Sequence, residues 1–600
     1  MIEVTLPLKI PKSLSYLAPD EVRLGQRVIV PLRGKKTLGL ITSLEGALVP
    51  GTRLVEAVVD QEPVLPEEEL SFLRWVADYH LAPLGQVIRY ALPRALFALP
   101  RRKALESFAG PIPPKEKGGG FSPFLLHEED EKSRLAVYLR NLEEVLEKRQ
   151  ALFLLPEKKK LQELWPLLRE RFPSMALYHG GLNPRERARI WLEVLCGKVS
   201  LVLGTRSALF LPFTKLGIII VEDEDDPSYK EEQAFRYQAR DLALMKGKFF
   251  EVKVILGSPA PSIKSFYWAK RGKYKLQKGE KRSPERLEII DLRQNRGLLS
   301  QRLLNAVRLT LRRQEQVFFF LNRLGYAPAL QCQECGYLWS CPRCWSPLAY
   351  HRQEEKLLCH LCRQTLPAPP ICPECGGGEL RFLGTGTERL WEIVQKFFPQ
   401  ARMARLDRET AKETIDFEGI DILIATRKAG WQIPLPRLSL IAVILADQML
   451  GLPDWRAAER TYQILKRLSL NPARWVIIQT FHPRHPVFHG LQKGYEAFFQ
   501  AEIKARYRAG FPPFKRLALL RFEDRDRQEV EALAERAKEL LEKQDLEVFG
   551  PREERRRGTF YSSLLLRGST EDLHLALKRL LREDDFSRKR ERWLVDFDPD

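Results

Sequence analysis

The 600-residue chain has no long hydrophobic run. Its longest apolar stretches, near residues 216–221 and 438–446, fall far short of the roughly 20 residues that a membrane helix needs. Residues 1–10 alternate like a strand and carry no apolar core of a secretory signal, so a cytoplasmic protein with no membrane partner is expected. Cysteine is scarce, with nine in all, and eight of the nine fall between Cys332 and Cys375. That distribution argues against a disulfide-built secreted domain. With 44% hydrophobic residues the chain can bury several cores, at roughly one domain per 150 residues. Acidic residues are in deficit, 78 against 98 basic, which leaves a net charge of +20. A polyanionic partner is favoured, and nucleic acid ahead of a membrane because no basic amphipathic anchor is visible.

The eight clustered cysteines form four C-x2-C pairs: Cys332/Cys335, Cys341/Cys344, Cys359/Cys362 and Cys372/Cys375. Each pair can close a knuckle whose two thiolates meet one metal ion at about 2.3 Å, and tetrahedral zinc needs two knuckles. Two four-cysteine sites and two zinc ions per chain are therefore expected. Gly336, Pro342, Pro373 and Gly376 supply the turn chemistry of such knuckles. The simplest pairing is nested. The inner pairs (Cys341, Cys344, Cys359, Cys362) close one site across a hairpin over residues 347–358, and the outer pairs (Cys332, Cys335, Cys372, Cys375) close the other. A closed shell of thiolates leaves no position for water, so both zincs are expected to be structural, with His351 and His360 as bystanders.

Periodicity divides the rest. Residues 1–95 open with short alternating strands (2–8, 27–31, 37–43) and continue as helix over 66–92, a small N-terminal β domain. Residues 96–123 carry clustered prolines and Gly118, Gly119 and Gly120, and read as a linker. Apolar strands at 151–155, 199–203, 217–221 and 252–256 alternate with helices, which predicts a parallel sheet over 124–290. A second parallel-sheet lobe is predicted over 291–330 and 381–509, with strands at 317–321, 420–425, 440–445 and 475–480, interrupted by the zinc insertion at 331–380. Residues 510–600 mix one helix (528–543) with short strands, a small α+β domain.

Specific strings narrow this multidomain α/β plan: GTRSALF at 204–210, PSYKEEQAFRYQARD at 227–241, FLNRLGYAP at 320–328, the eight cysteines at their spacing, GTGTE at 384–388, AER at 458–460 and DFDP at 596–599. Together they resemble the PriA family of replication-restart proteins, superfamily 2 helicases, over about four fifths of the chain. The resemblance implies two RecA-like lobes, nested zinc pairing, forked or single-stranded DNA as ligand, and single-stranded DNA-binding protein and the replicative helicase or its loader as partners.

The departures from that family concern the motor. Where it carries a glycine-rich phosphate loop ending in Lys-Thr, this chain has His127, Glu128, Glu129, Asp130, Glu131, Lys132, Ser133, Arg134, Leu135. Glycines let backbone N–H groups converge on phosphate, and none is present. Each close like-charge pair costs roughly 4 kcal/mol at an effective dielectric of 20, which weakens binding about a thousandfold. The family's Asp-Glu-x-His becomes Glu222, Asp223, Glu224, Asp225; its arginine-finger string is reduced to residues 466–474 (KRLSLNPAR); and GSPAP at 257–261 has lost the threonine that links ATP to movement. The family's winged-helix segment has no room within a linker of about 30 residues. The expectation is a DNA-binding restart protein without ATPase or helicase activity, no catalytic residue and no nucleotide cofactor. The alternatives are an active 3′-to-5′ helicase with an unconventional nucleotide site, and a zinc protein retained for protein contacts alone.

DNA contacts are expected in three places. By resemblance, Tyr16, Gly39 and Arg53 occupy the family's pocket for a 3′ strand end, with Tyr16 able to stack a base. Tyr229, Arg236 and Tyr237 lie in its aromatic-rich loop and could touch DNA without driving anything. Lys270, Arg271 and Lys273 begin a basic run beside Phe266, Tyr267 and Trp268, a mixture suited to single strands. Arg555, Arg556 and Arg557 are a weaker candidate, and Cys196 reads as a small buried apolar residue.

Overall fold

The computed structural model describes all but residues 11–12, 20, 48–51, 98–111, 114–117, 234, 296, 323–329, 333, 336, 338, 340, 343–347, 352–355, 360–363, 368, 379, 383–386, 407–414, 427–432, 453, 557, 589–591 and 600. Most of the expected linker, Cys344, Cys362, Arg557 and much of the FLNRLGYAP and GTGTE strings lie outside the described residues. The chain divides into two compact units.

The first unit joins residues 1–261, 265–279 and 516–599. It opens with a five-stranded sheet, ordered Leu14–Tyr16, Ile2–Thr5, Lys35–Ser43, Arg27–Leu32, Ala57–Val58. The alternation of β-branched residues buries Val4, Val28, Val30 and Ile41 on one face. Helices Glu67–Tyr79 and Leu84–Ala91 follow, separated where Leu81 adopts a positive φ of 50°. The predicted first α/β lobe is a seven-stranded parallel sheet, ordered Lys275–Lys278, Ser122–His127, Lys253–Ser258, Leu216–Glu222, Gln150–Leu154, Leu201–Gly204, Met175–Tyr178. Continuous apolar strands fit a sheet covered by helices on both faces.

The C-terminal segment belongs to this same unit, although it follows the second lobe in sequence. It is a four-stranded antiparallel sheet, ordered Glu547–Arg556, Thr559–Gly568, Arg516–Asp524, Trp593–Phe597, covered by helices Arg527–Glu542 and Thr570–Leu580. Ion pairs tie it to the remainder of the unit. Lys230 Nζ donates to Asp596 at 2.6 Å, Arg236 to the other oxygen of Asp596 at 3.0 Å, and Lys578 pairs with Asp78 at 2.7 Å. Lys246, fully buried, donates to Glu69 at 2.7 Å and to the carbonyls of Leu209 and Leu211, which fastens the first long helix to the lobe.

The second unit comprises residues 262–264 and 280–515. Its six-stranded parallel sheet runs Arg286–Asp291, Trp475–Thr480, Leu438–Val443, Gln316–Phe320, Ile422–Ala425, Met403–Leu406. Strand Arg286–Asp291 pairs in full register with Trp475–Thr480, so the lobes divide before Arg286 and not at residue 290. The cysteine-rich insertion leaves this sheet after Gln316–Phe320 and contributes the antiparallel pair Leu330–Cys332 with Leu380–Phe382 and a small sheet of Ala349–His351, Lys356–Leu358 and Thr365–Pro367. Within the hairpin expected over 347–358, the described strands Ala349–His351 and Lys356–Leu358 pair antiparallel, and the residues between them lie outside the described ones.

Candidate functional site

In a doubly wound sheet, ligands are held beyond the carboxyl ends of the strands. At that edge of the first lobe stand His127, Glu222 and Ser258, the last residues of three adjacent strands. Helix Glu131–Leu146 begins just beyond the first of these strands, and a helix N-terminus is a ready anion site. Here the chain's own carboxylate occupies it: Asp130 caps the helix, accepting from the Ser133 backbone N–H at 3.0 Å and from its hydroxyl at 2.8 Å. Glu128 in turn accepts the Asp130 N–H at 2.8 Å.

Arg134 does not reach out toward solvent. It is buried, donating through Nη2 to Glu222 at 2.7 Å and through Nε at 3.0 Å, with Nη1 on the Glu128 carbonyl at 2.8 Å. Tyr138, one turn further along the same helix face, donates to the other Glu222 oxygen at 2.6 Å. Lys160 closes on Asp223. Burial works against the charge on Arg134 and Lys160, but the Glu222 and Asp223 carboxylates more than offset it and raise both pKa values. The Tyr138 hydroxyl is pushed far up by burial and by Glu222. Gly257 lies against this cluster, where a methyl group would overlap the Tyr138 hydroxyl.

The remaining acids of the 222–225 run are also engaged inside the fold. Glu224 accepts from Arg240 at 3.0 Å and Ser265 at 3.1 Å, and Asp225 accepts from Ser258 at 2.5 Å. In the second unit, Lys466 donates to the Arg282 carbonyl at 2.9 Å, and Arg474 pairs with Glu285 at 3.2 Å. Arg506, on helix Tyr495–Ala509, bridges Glu459 at 2.7 Å and Glu502 at 2.8 Å.

The expected DNA-contacting residues fare unequally. Tyr16 is only 4% exposed, a member of the N-terminal core with its hydroxyl on the Pro31 carbonyl at 3.2 Å, so its ring offers no open stacking face. Gly39 is needed for packing, since a side chain there would run into Val4. Arg53 is exposed. Tyr229 and Tyr237 are core residues rather than surface contacts: the Tyr229 hydroxyl donates to the carbonyls of Glu222 and Leu154, and that of Tyr237 lies 3.1 Å from the Tyr90 hydroxyl. Their loop folds inward because its rings pack with Phe210 and Phe235, and Asp596 pins Arg236. Lys270, Arg271 and Lys273 are exposed at the end of helix Ile263–Lys270 and in the turn beyond it. Each rides on a ring: Lys273 lies 3.9 Å from the centre of the Trp268 indole, Arg271 5.4 Å from Tyr267, and Lys270 5.6 Å from Phe266. Arg555 is exposed on the long hairpin of the C-terminal sheet, stacked 5.2 Å over Phe560.

The outer cysteine quartet is assembled. The ligand sulfurs of Cys332, Cys335, Cys372 and Cys375 all lie within 4.8 Å of one another, with Cys332 to Cys375 at 3.6 Å and Cys335 to Cys372 at 3.5 Å. Tetrahedral zinc with bonds of about 2.3 Å holds its sulfurs about 3.8 Å apart, so the set fits that ion. Backbone turns shape the knuckles, Cys332 N–H to the Tyr337 carbonyl at 3.0 Å and Cys372 N–H to that of Gly377 at 2.8 Å, with Gly376 in the left-handed region at φ 73°. Of the inner set, Cys341 and Cys359 are fully buried.

Comparison with known proteins places these features in a family. Residues 3–93 match the family model described as the 3′DNA-binding domain, and residues 507–600 match the primosomal protein N C-terminal domain. The replication restart protein PriA of Treponema pallidum is 30% identical over 602 residues, spanning 92% of this chain and 91% of the relative. This chain belongs to the PriA family. The PriA protein of Haemophilus influenzae is 27% identical and aligns along 99% of its length, whereas this chain covers 57% of the Bacillus subtilis PriA, at 33% identity. Among solved structures, the Mycobacterium smegmatis helicase Lhr bound to ssDNA and AMP-PNP matches at 12% identity, covering 63% of this chain and 46% of that one, with a TM-score of 0.35. No helix among the described residues is long and apolar enough to cross a membrane.

The sequence shows that residues 128–135 lack glycine without showing what their side chains meet. Arg134 and Tyr138, four residues apart on one helix, are legible as a paired face; that Glu222 lies opposite them depends on the sheet order.

Proposed function

We propose that this protein binds forked or single-stranded DNA in replication restart and helps to recruit replication machinery without hydrolysing ATP. The observation that carries this reading is the pairing of Arg134 with Glu222 and of Lys160 with Asp223. The carboxylates available for magnesium are neutralised by the chain itself, and Asp130 takes the helix N-terminus that a phosphate would need. A nucleotide would have to break one buried and one partly buried ion pair and displace a capping carboxylate of its own sign.

The exposed cations Arg53, Lys270, Arg271 and Lys273 supply phosphate contacts in this reading. Two zinc ions, one on the outer quartet and one on Cys341, Cys344, Cys359 and Cys362, cross-link the insertion, while single-stranded DNA-binding protein and the helicase or its loader are the protein partners. The test is binding of a fluorescent ATP analogue and of a forked oligonucleotide by the same zinc-loaded preparation. Fork binding that falls steeply with salt, together with no saturable nucleotide binding, is expected. Micromolar ATP binding sensitive to Asp223→Ala would overturn the motor-less reading.

A further inference from the structure

A cleft of about 230 Å³ lies within the first unit, walled by the N-terminal segment, the aromatic-rich loop and the C-terminal sheet. It has room for roughly seven waters at about 30 Å³ each, or for one planar heterocycle. Its wall includes His80, only 6% exposed, and neither ring nitrogen of His80 has a hydrogen-bond partner. Burial, then the neighbouring charges of Lys230, Arg516 and His574, lower its pKa to about 3, so the ring is neutral and offers one donor and one acceptor. Arg236 lines the same cleft. Its Nη1 is fixed on Asp596 at 3.0 Å, and its buried Nε is likewise unpartnered.

Buried polar groups are nearly always satisfied, and two orphaned ones in a single cleft ask for a ligand that both donates and accepts. Phe235, its ring 5.8 Å from that of His80, and Trp593 supply apolar wall. Lys9 and Arg521 are balanced by Glu232 and Glu523, so the cleft is no phosphate groove. Alternating donors and acceptors beside aromatic rings suit the edge of a nucleobase. We propose that this cleft receives one unstacked base of a bound DNA strand, whose entry turns the His80 and Arg236 side chains in its wall so that their unpartnered nitrogens, sealed from solvent in the free protein, read the base. The inference rests on the DNA-binding reading above.

The test uses full-length zinc-loaded protein and a fork whose junction fixes the register, with a single abasic site moved along each arm. One abasic position should weaken wild-type binding about five- to hundredfold, the range expected of a stacked base. His80→Phe and Arg236→Lys should bind the intact fork more weakly by a similar factor, lose the sensitivity to that abasic position, and keep the salt dependence. His80→Phe should melt no lower than wild type, because it deletes two unsatisfied nitrogens. If wild type binds the fork but no abasic position matters, or both variants bind as tightly as wild type, the base site is wrong and DNA binding stands. A lower melting temperature for His80→Phe with unchanged abasic sensitivity would make His80 a packing residue. Failure of wild type to bind any fork would bring down both readings.

Discussion

Replacing Arg134 with methionine keeps most of the side-chain volume and removes the guanidinium that neutralises Glu222. The two side chains are 4% and 5% exposed, so the carboxylate left behind cannot be rescued by water. Breaking a buried pair by deleting one partner typically costs about 3–5 kcal/mol, because the surviving charge is uncompensated. The Tyr138 hydroxyl would still donate to Glu222, and Lys160 would still hold Asp223, which places the expectation near the lower end. For a unit of about 360 residues, whose unfolding entropy is roughly 2.1 cal/mol/K per residue, each kcal/mol shifts the melting temperature by about 1.3 °C, so the corresponding transition should fall by about 4 °C. Scanning calorimetry is the suitable assay, since a chain of two units need not unfold in one step. Adding Glu222→Gln to Arg134→Met should recover much of the loss, with a coupling of about 2 kcal/mol or more between the two sites. An Arg134→Met protein as stable as wild type, or strictly additive losses in the double variant, would refute the claim that this pair fills the site.

The folded pKa of His80, about 3, lies below its unfolded value near 6.5, so the unfolded chain binds the extra proton between those limits and stability falls as pH drops through that window. Between pH 7 and pH 5 the loss is about 2 kcal/mol, and urea titrations at the two pH values should show His80→Phe without that part of the slope. Cys372→Ser should reduce bound zinc from two ions to one by elemental analysis, and Cys341→Ser should do the same; either variant still holding two ions, or wild type holding only one, would overturn the two-site assignment. Gly257→Ala should destabilise by about 1–3 kcal/mol because its methyl meets the Tyr138 hydroxyl, and Tyr138→Phe should relieve part of that cost in thermal melts.

Much of the architecture is legible in the sequence because it rests on local patterns. Continuous apolar strands such as Leu438–Val443 announce parallel sheets, and C-x2-C spacing announces knuckles whose sulfurs in the outer quartet do converge. The boundary between lobes is hidden because Arg286–Asp291 is charged at both ends and only half-buried, an edge strand without the apolar signal of its neighbours. The union of the C-terminal sheet with the first lobe depends on Asp596 meeting Lys230 and Arg236 across more than 350 residues, which no local window reveals. Tyr229 and Tyr237 look like recognition aromatics for the same reason: a tyrosine that stacks on a base and one that caps a carbonyl in a core are identical in sequence. The orphaned nitrogens of His80 are a tertiary fact with no sequence signature at all.

The central claim is that the nucleotide site is filled by the chain itself. DNA-stimulated ATP hydrolysis by zinc-loaded protein, with fork binding confirmed in the same tube, tests it most directly. The account predicts bound fork and turnover no higher than that of the protein without DNA. Turnover that rises with fork concentration and disappears in Asp223→Ala would contradict it and make this chain a working helicase.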